Sequence, residues 1–319
     1  MNYFIFNFKK HIHLISSFLE SASIAHKHNK VKTEDWFFWK FRDNPFGETI
    51  LACAEENRKI VGCVAYGMQP FLLNEGKFKG ILSFETFVHP KFQGLGVFSK
   101  LIKLAEEEAT KLGVDFMLNF PNSNSLRGFL KSSWQKLDSP EYWIKTKNIF
   151  KTFLNITDLK KAFQPDPSNL LSLETPESYT QSSKTDRLSS VINLDYLNWR
   201  FFSHPVAHYD IIDTNEFYAI LRVGRRGKLR EVQLLFINPK QGQSIKIKKF
   251  LRTCKAKVNY DIISFPISKN NPVRSELKNN LFIKVPNRTN ICYKILSTDK
   301  ITEEQVRLIS LNAINYHTY

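Results

Sequence analysis

The chain contains two copies of one pattern. "DWFFWKFRDNP" (Asp35–Pro45) and "DYLNWRFFSHP" (Asp195–Pro205) both read Asp, aromatic, two residues, Trp, basic, Phe, two residues, Asn or His, Pro. Each is followed by two alternating apolar runs, "TILACAEENRKIVGCVAYG" in the first copy and "YDIIDTNEFYAILRVGRRG" in the second. Each then offers a strand ending in proline, "LSFETFVHP" against "EVQLLFINP", and "VDFMLNFPNSNS" finds an echo in "YDIISFPISKNN". Matches in one order constrain the architecture more than any local propensity, because each copy must bury the same faces. The pattern predicts two copies of one fold.

The stretch "FQPDPSNLLSLETPESYTQSSKTDRLSS" (Phe163–Ser190), rich in Ser, Thr and Pro, separates the copies and reads as a connection. We therefore divide the chain into residues 1–155, a connection over 156–190, and residues 191–319. Each copy runs helix, hairpin strands, strand, helix, strand, helix, strand. That order predicts an α/β or α+β domain with helices on a mixed sheet.

"FETFVHPKFQGLGVFSKLIKLAEEEA" (Phe84–Ala109) places Gly94 and Gly96 where a helix begins. Glycine there adds to the entropy cost of folding, so a use is expected. Bare N–H groups at a helix start make a ready phosphate site, and an ordinary strand-to-helix turn is the plainer alternative. The helix that follows has apolar residues at 97, 98, 101, 102, 104, 105, 109 and 112 and a stop at Gly113. After the strand "VDFML", Asn122 or Ser123 is placed to cap a further helix.

The chain has 46 Lys+Arg against 30 Asp+Glu, a formal +16, which favours a polyanionic partner or a phosphorylated cofactor without choosing among them. The four cysteines show no CxxC spacing and no Cys/His cluster, so no metal is expected. Cys53 and Cys63 flank a hairpin turn; reduced core thiols are favoured over a disulfide. The apolar amino terminus is broken by lysines and has no span-length run. It reads as a short strand and an amphipathic helix. We expect a cytoplasmic protein with a small-molecule substrate and neither a membrane nor a nucleic-acid partner.

The first copy, over roughly residues 30–145, resembles the GCN5-related N-acetyltransferase superfamily. That family's Gln/Arg-x-x-Gly-x-Gly/Ala loop corresponds to Gln93, Gly94, Leu95, Gly96, Val97 and Phe98. Its second motif, Asn-x-x-Ala-x-x-x-Tyr-x-x-x-Gly-Phe, corresponds to Asn122, Ser125, Phe129, Ser133 and Trp134. Two positions depart: Phe98 replaces a small residue, and Phe129 replaces a tyrosine credited with protonating the leaving thiolate. The resemblance implies that backbone N–H groups over 94–99, Ser99 included, cradle the pyrophosphate of acyl-CoA. It implies that Phe87 and Val88 supply backbone contacts to the pantetheine and oxyanion. Asn122 and Phe129 would border the cofactor.

The second copy has Gly242 without a Gly-x-Gly pair, so we expect a scaffold or acceptor wall with no cofactor. Glu85, on an otherwise apolar strand, is the candidate base or amine anchor, with pairing to a Lys or Arg as the alternative reading. His89 is a second candidate base. Trp36, Trp39 and Asn119 are candidate acceptor contacts, with core packing as the leading reading of the rings over 36–41, because they recur as Tyr196, Trp199 and Phe201 in the second copy. Tandem members with a "WKFxxNP" segment resemble enzymes that acylate an amino group on a nucleotide-linked sugar, such as a dTDP-3-amino-3,6-dideoxyhexose. A tandem aminoacyl-tRNA-dependent transferase and a non-enzymatic binding module are the competing readings.

Overall fold

The computed structural model describes residues 1–26, 32–166, 185–240, 243–286 and 289–316. Residues 167–184, most of the Ser/Thr/Pro-rich connection, and Gly242 lie outside the described residues. The amino-terminal half runs β1 (Asn2–Ile5), α1 (Ile15–His26), α2 (Glu34–Phe41), β2 (Ile50–Glu56), β3 (Lys59–Leu73) and β4 (Gly76–Val88). It continues through α3 (Val97–Lys111), β5 (Phe116–Asn119), α4 (Ser123–Lys131), β6 (Gln135–Leu137), β7 (Glu141–Thr146) and α5 (Ile149–Leu154). Two short strands, β8 (Gln164–Pro165) and β9 (Ser189–Ser190), lie within the connection. The second half runs α6 (Leu194–Leu197), β10 (Asp210–Asp213), β11 (Phe217–Arg226), β12 (Leu229–Pro239) and α7 (Ile247–Lys257). It ends with β13 (Ile262–Ile267), α8 (Val273–Asn279), β14 (Ile283–Val285) and β15 (Ile291–Ile295), then short terminal helices.

Local chemistry explains the main stops and starts. Thr33 caps α2 by accepting from the Trp36 N–H, and Asn122 caps α4 by accepting from the N–H groups of Asn124 and Ser125. α3 buries Val97, Leu101, Ile102, Ala105 and Ala109 on one face, and Gly113, at φ 66°, ends its last turn. All four cysteines are free and buried, with Cys53 opposite Cys63 across the β2–β3 ladder.

The strands form two mixed sheets built to one plan, which is the α/β architecture expected. The first has the order β1-β2-β3-β4-β5-β15-β6, and the second β10-β11-β12-β13-β7-β14. In each, the slot between two strands joined through a helix, β5 and β6 through α4 and β13 and β14 through α8, is filled from the other half of the sequence. β15 lies antiparallel to both β5 and β6, with Cys292 opposite Asn119 and Lys136. β7 lies antiparallel to both β13 and β14. The halves have exchanged equivalent strands, so the sheets cross the boundary the sequence draws at residue 155.

The two copies of the repeated motif meet at the centre. The Trp39 indole donates to the Trp199 carbonyl at 2.7 Å, and the Trp199 indole donates to the Trp39 carbonyl at 2.7 Å. Their rings stack 5.5 Å apart. One apolar core spans both halves here, with Phe37, Phe41 and Phe87 from the first and Tyr196, Phe201 and Phe236 from the second.

Ile291, Cys292 and Tyr293 of β15 are fully buried, and burying Ile291 alone is worth roughly 1.5–3 kcal/mol. A chain ended after Pro286 should therefore lose the cooperative unfolding transition of its amino-terminal half in urea, although that half's own sequence is intact. An unchanged midpoint would show that β15 contributes nothing there.

Candidate functional site

β4 and β5 run parallel only where Gly80–Leu82 meet Phe116–Leu118. Beyond Leu82 the strands part, and a cleft of about 320 Å³ opens between them. Its lining includes Glu85 and Thr86 of β4, Asn119 of β5, Asn122, Phe129, and His26, Lys32 and Lys40.

Which β4 amides face the opening follows from the ladder on the other side. The His89 N–H donates to the Val61 carbonyl at 2.8 Å, and Val88 pairs with Gly62, Phe87 with Cys63. Alternation along an antiparallel ladder turns the Phe87 amide toward Cys63 and the Thr86 and Val88 amides toward the fork. Phe87 is thus displaced from its expected role: its backbone is in the ladder and its ring packs on Phe18 at 5.3 Å. Val88 keeps an amide on the open edge, while its carbonyl accepts from the Gln93 side chain at 3.0 Å.

That bond ties the glycine loop to the end of β4. Gly94 and Gly96 have φ of 79° and 75°, the left-handed region where a side chain is strained. A Cβ at either would meet nothing within 4 Å, so conformation and not crowding calls for glycine. Gly96 begins α3 without a side-chain cap, which leaves the first-turn N–H groups of Val97, Phe98 and Ser99 without helical partners. Leu95 is exposed at the loop tip. The Phe98 ring turns onto α4, where a Cβ on Gly128 would come within 2.4 Å of it and Phe129 meets it edge-on at 5.2 Å. The bulk at position 98 is thus accommodated by a glycine on the neighbouring helix. The loop chemistry fits a diphosphate.

Glu85 stands in the cleft among three nitrogen groups: His26 Nε2 at 2.6 Å, Lys40 Nζ at 3.0 Å and Lys32 Nζ at 3.1 Å. Burial alone would raise its carboxyl, but Lys40, the His26 hydrogen bond and Lys32 outweigh that and hold it well below the ordinary carboxylate range. Lys40 is itself buried, which pulls its ammonium down while Glu85 works against the pull. An anion so stabilised accepts a proton poorly. Sequence reasoning named Glu85 and missed the three groups around it. Lys40 is the basic position of the repeated motif, and His26 and Lys32 carry no spacing signal.

The remaining candidates separate. Asn119 is buried in the cleft and donates to the Tyr66 hydroxyl at 3.3 Å, while Asn122 is engaged as the α4 cap. Phe129 lines the cleft floor and has no proton to give. His89 caps the turn over Pro90–Phe92 and does not line the cleft. Trp36 lies behind the cleft with Lys32 and Lys40 over its face at 4.2 and 4.8 Å, and Trp39 is committed to Trp199. Neither indole lines the cleft, because each ring is already occupied by a cation or by its repeat partner.

Residues 13–131 match the model of the Acetyltransferase (GNAT) family. No curated protein matches the chain. Among solved structures, a GCN5-related N-acetyltransferase from Anabaena variabilis ATCC 29413 is similar at TM-score 0.64 and 10% identity, covering 94% of this chain and 74% of that one. Eis1 from Mycobacterium abscessus is similar at TM-score 0.59 and 9% identity, over 93% of this chain and 74% of its own. A conserved protein of unknown function from Enterococcus faecalis V583, described as a probable N-acyltransferase, is similar at TM-score 0.59 and 9% identity, over 93% and 73%. At these identities the likeness is one of fold, and it extends over both halves.

Removing the charge at Glu85 tests the cluster. Glu85→Gln should cost about 3–5 kcal/mol at pH 7 by leaving Lys40 buried without its counter-ion, and adding Lys40→Met should recover much of it. Because the folded-state carboxyl lies below its ordinary value of 4.5, its stabilisation is complete above that pH and is lost as pH falls through the folded value. Urea midpoints of the wild type should therefore fall more steeply below about pH 4.5 than those of Glu85→Gln. Parallel curves would remove the ion pair from the account.

Proposed function

We propose that the chain transfers an acyl group from coenzyme A to the amino group of an anionic small molecule, with a nucleotide-linked amino sugar as the leading class. The observation that carries this reading is the fork between β4 and β5, which opens beside the uncapped, glycine-led start of α3. Coenzyme A would supply an activated thioester there, and the N–H groups from Gly94 to Ser99 would hold its pyrophosphate at the positive end of the α3 dipole.

The Thr86 and Val88 amides then face the fork, where a thioester carbonyl would develop negative charge. Preorganised donors of this kind are commonly worth about 2.7–4 kcal/mol of barrier. Glu85 acts as the anchor for the acceptor ammonium, since its own carboxyl is held ionised. We assign His26, which lies in the cleft beside Glu85, to take the proton from the attacking amine. Lys32 and Lys40 outnumber the single carboxylate of the cleft lining, which suits an acceptor with phosphate or carboxylate beside its amine. With phenylalanine at 129, the thiolate leaves without a side-chain acid, which an ordinary thiol value of about 8.5 permits at neutral pH.

The test is thermal stabilisation by CoA and by a generic tRNA, followed by thiol release across amino-sugar nucleotides and several acyl-CoAs. CoA at 100 times its dissociation constant should add about 2.7 kcal/mol. Gly96→Val should abolish that response, because a β-branched residue is strained at this φ. His26→Gln should retain the response and lose turnover by roughly tenfold or more. No response to CoA in the folded wild type would end this reading, and a response to tRNA alone would favour an aminoacyl-tRNA donor.

A further inference from the structure

One end of the second sheet carries an apolar knuckle that the acyl-transfer reading does not use. On and just after α5, Ile149, Phe150, Phe153 and Leu154 are 75, 74, 71 and 63% exposed, and Ile156 is 57% exposed. The helix turns Thr152 inward, where its hydroxyl meets that of Thr146 at 2.6 Å, and presents its large side chains outward. This is the reverse of a core-facing helix. It is firmly mounted: Asn148 caps it, and Lys151 bonds Asp261 at 2.7 Å.

Basic groups ring the knuckle. Lys147, Lys160 and Lys161 are exposed on the same segment, and the β11–β12 turn brings exposed Arg225, Lys228 and Arg230 against it. Three bonds fix that placement: Lys228 N–H to Asp158 at 2.7 Å, Arg226 Nη1 to the Lys161 carbonyl at 2.6 Å, and Arg230 N–H to Asp261 at 2.8 Å. The carboxylates of Asp158, Asp261 and Glu231 in these elements are bound by Lys161, Lys151 and Arg226, which leaves the ring positive.

We propose that this face is a peripheral docking surface for an anionic lipid bilayer. The knuckle would enter the boundary between headgroups and acyl chains while the ring engages the headgroups. Three of the five apolar residues are aliphatic and offer no face on which a nucleobase could stack, which disfavours RNA. A symmetric pair of copies would set two basic rings against each other, which disfavours self-association. The expectation of no membrane partner came from the lack of a spanning run. No helix of the described residues is long and apolar enough to cross a membrane, and a surface contact needs none.

The experiment is co-sedimentation of the full chain with phosphatidylglycerol-containing or pure phosphatidylcholine vesicles, with tRNA binding and solution mass measured alongside. Binding should need the anionic lipid, weaken with salt, and fall roughly tenfold or more in Phe150→Ser/Phe153→Ser and in Lys147→Glu/Lys160→Glu. All these side chains face solvent, so melting midpoint and CoA response should not change. Failure to bind anionic vesicles would overturn the proposal, as would binding that survives both variants. It would also be overturned if the variants abolished tRNA binding or a dimer instead.

Discussion

Backbone N–H and C=O groups inside a sheet must be paired, and in this protein neither half of the chain can pair its own. The slot between β5 and β6 is completed by β15, and the slot between β13 and β14 by β7. Separating the halves would strip both sheets at once, so the molecule behaves as one interlocked body made from two copies. The Trp39 and Trp199 pair belongs to this constraint. Two indole donors and two backbone carbonyls satisfy each other across the centre, an arrangement that works only if both copies of the motif are held in register.

The exchange also reaches the cleft. A fork in a sheet needs two rigid arms, because strands that part have lost the hydrogen bonds that would otherwise align them. The β4 arm is held by its ladder to β3 and by the Gln93 side chain on the Val88 carbonyl. The β5 arm is only four residues long, and its outer edge is held by β15, with Cys292 opposite the cleft residue Asn119. The carboxyl-terminal half therefore braces one wall of the site although its own loop has no Gly-x-Gly pair. A small displacement of a catalytic wall costs rate steeply, so bracing is a sufficient reason for the second copy to persist.

What the sequence made legible were features written in local chemistry: the repeat, the glycines at 94 and 96, the Asn122 cap and the stop at Gly113. Each depends on neighbours a few residues away. The strand exchange was not legible, because a repeat of strands in one order is the same string whether each copy keeps its last strand or trades it. The same limit hid the company of Glu85, whose partners arrive from α1, α2 and the segment between them. The orientation of Phe87 turned on ladder alternation, which requires the partner strand's register. Trp39 read both as a core ring and as a candidate acceptor contact, because burial against another half of the chain leaves the same aromatic signature as a ligand platform.

Comparing the copies also bears on why a charge is buried in the cleft at all. Lys40 and Arg200 occupy the same place in the repeated motif, and both are buried. Aligning "LSFETFVHP" with "EVQLLFINP" on their prolines sets Leu234 where the first copy has Glu85. The fold therefore does not need a carboxylate at that position. A buried ion pair is often no more stabilising than an apolar pair of similar size, and it leaves a large penalty whenever one partner is lost. The half with the glycine pair and the open fork retains this costly arrangement, and the half without the pair has an aliphatic side chain there. Stability does not explain that difference between the copies. On the reading proposed above, a cleft that holds a charged acceptor beside a row of backbone amides does.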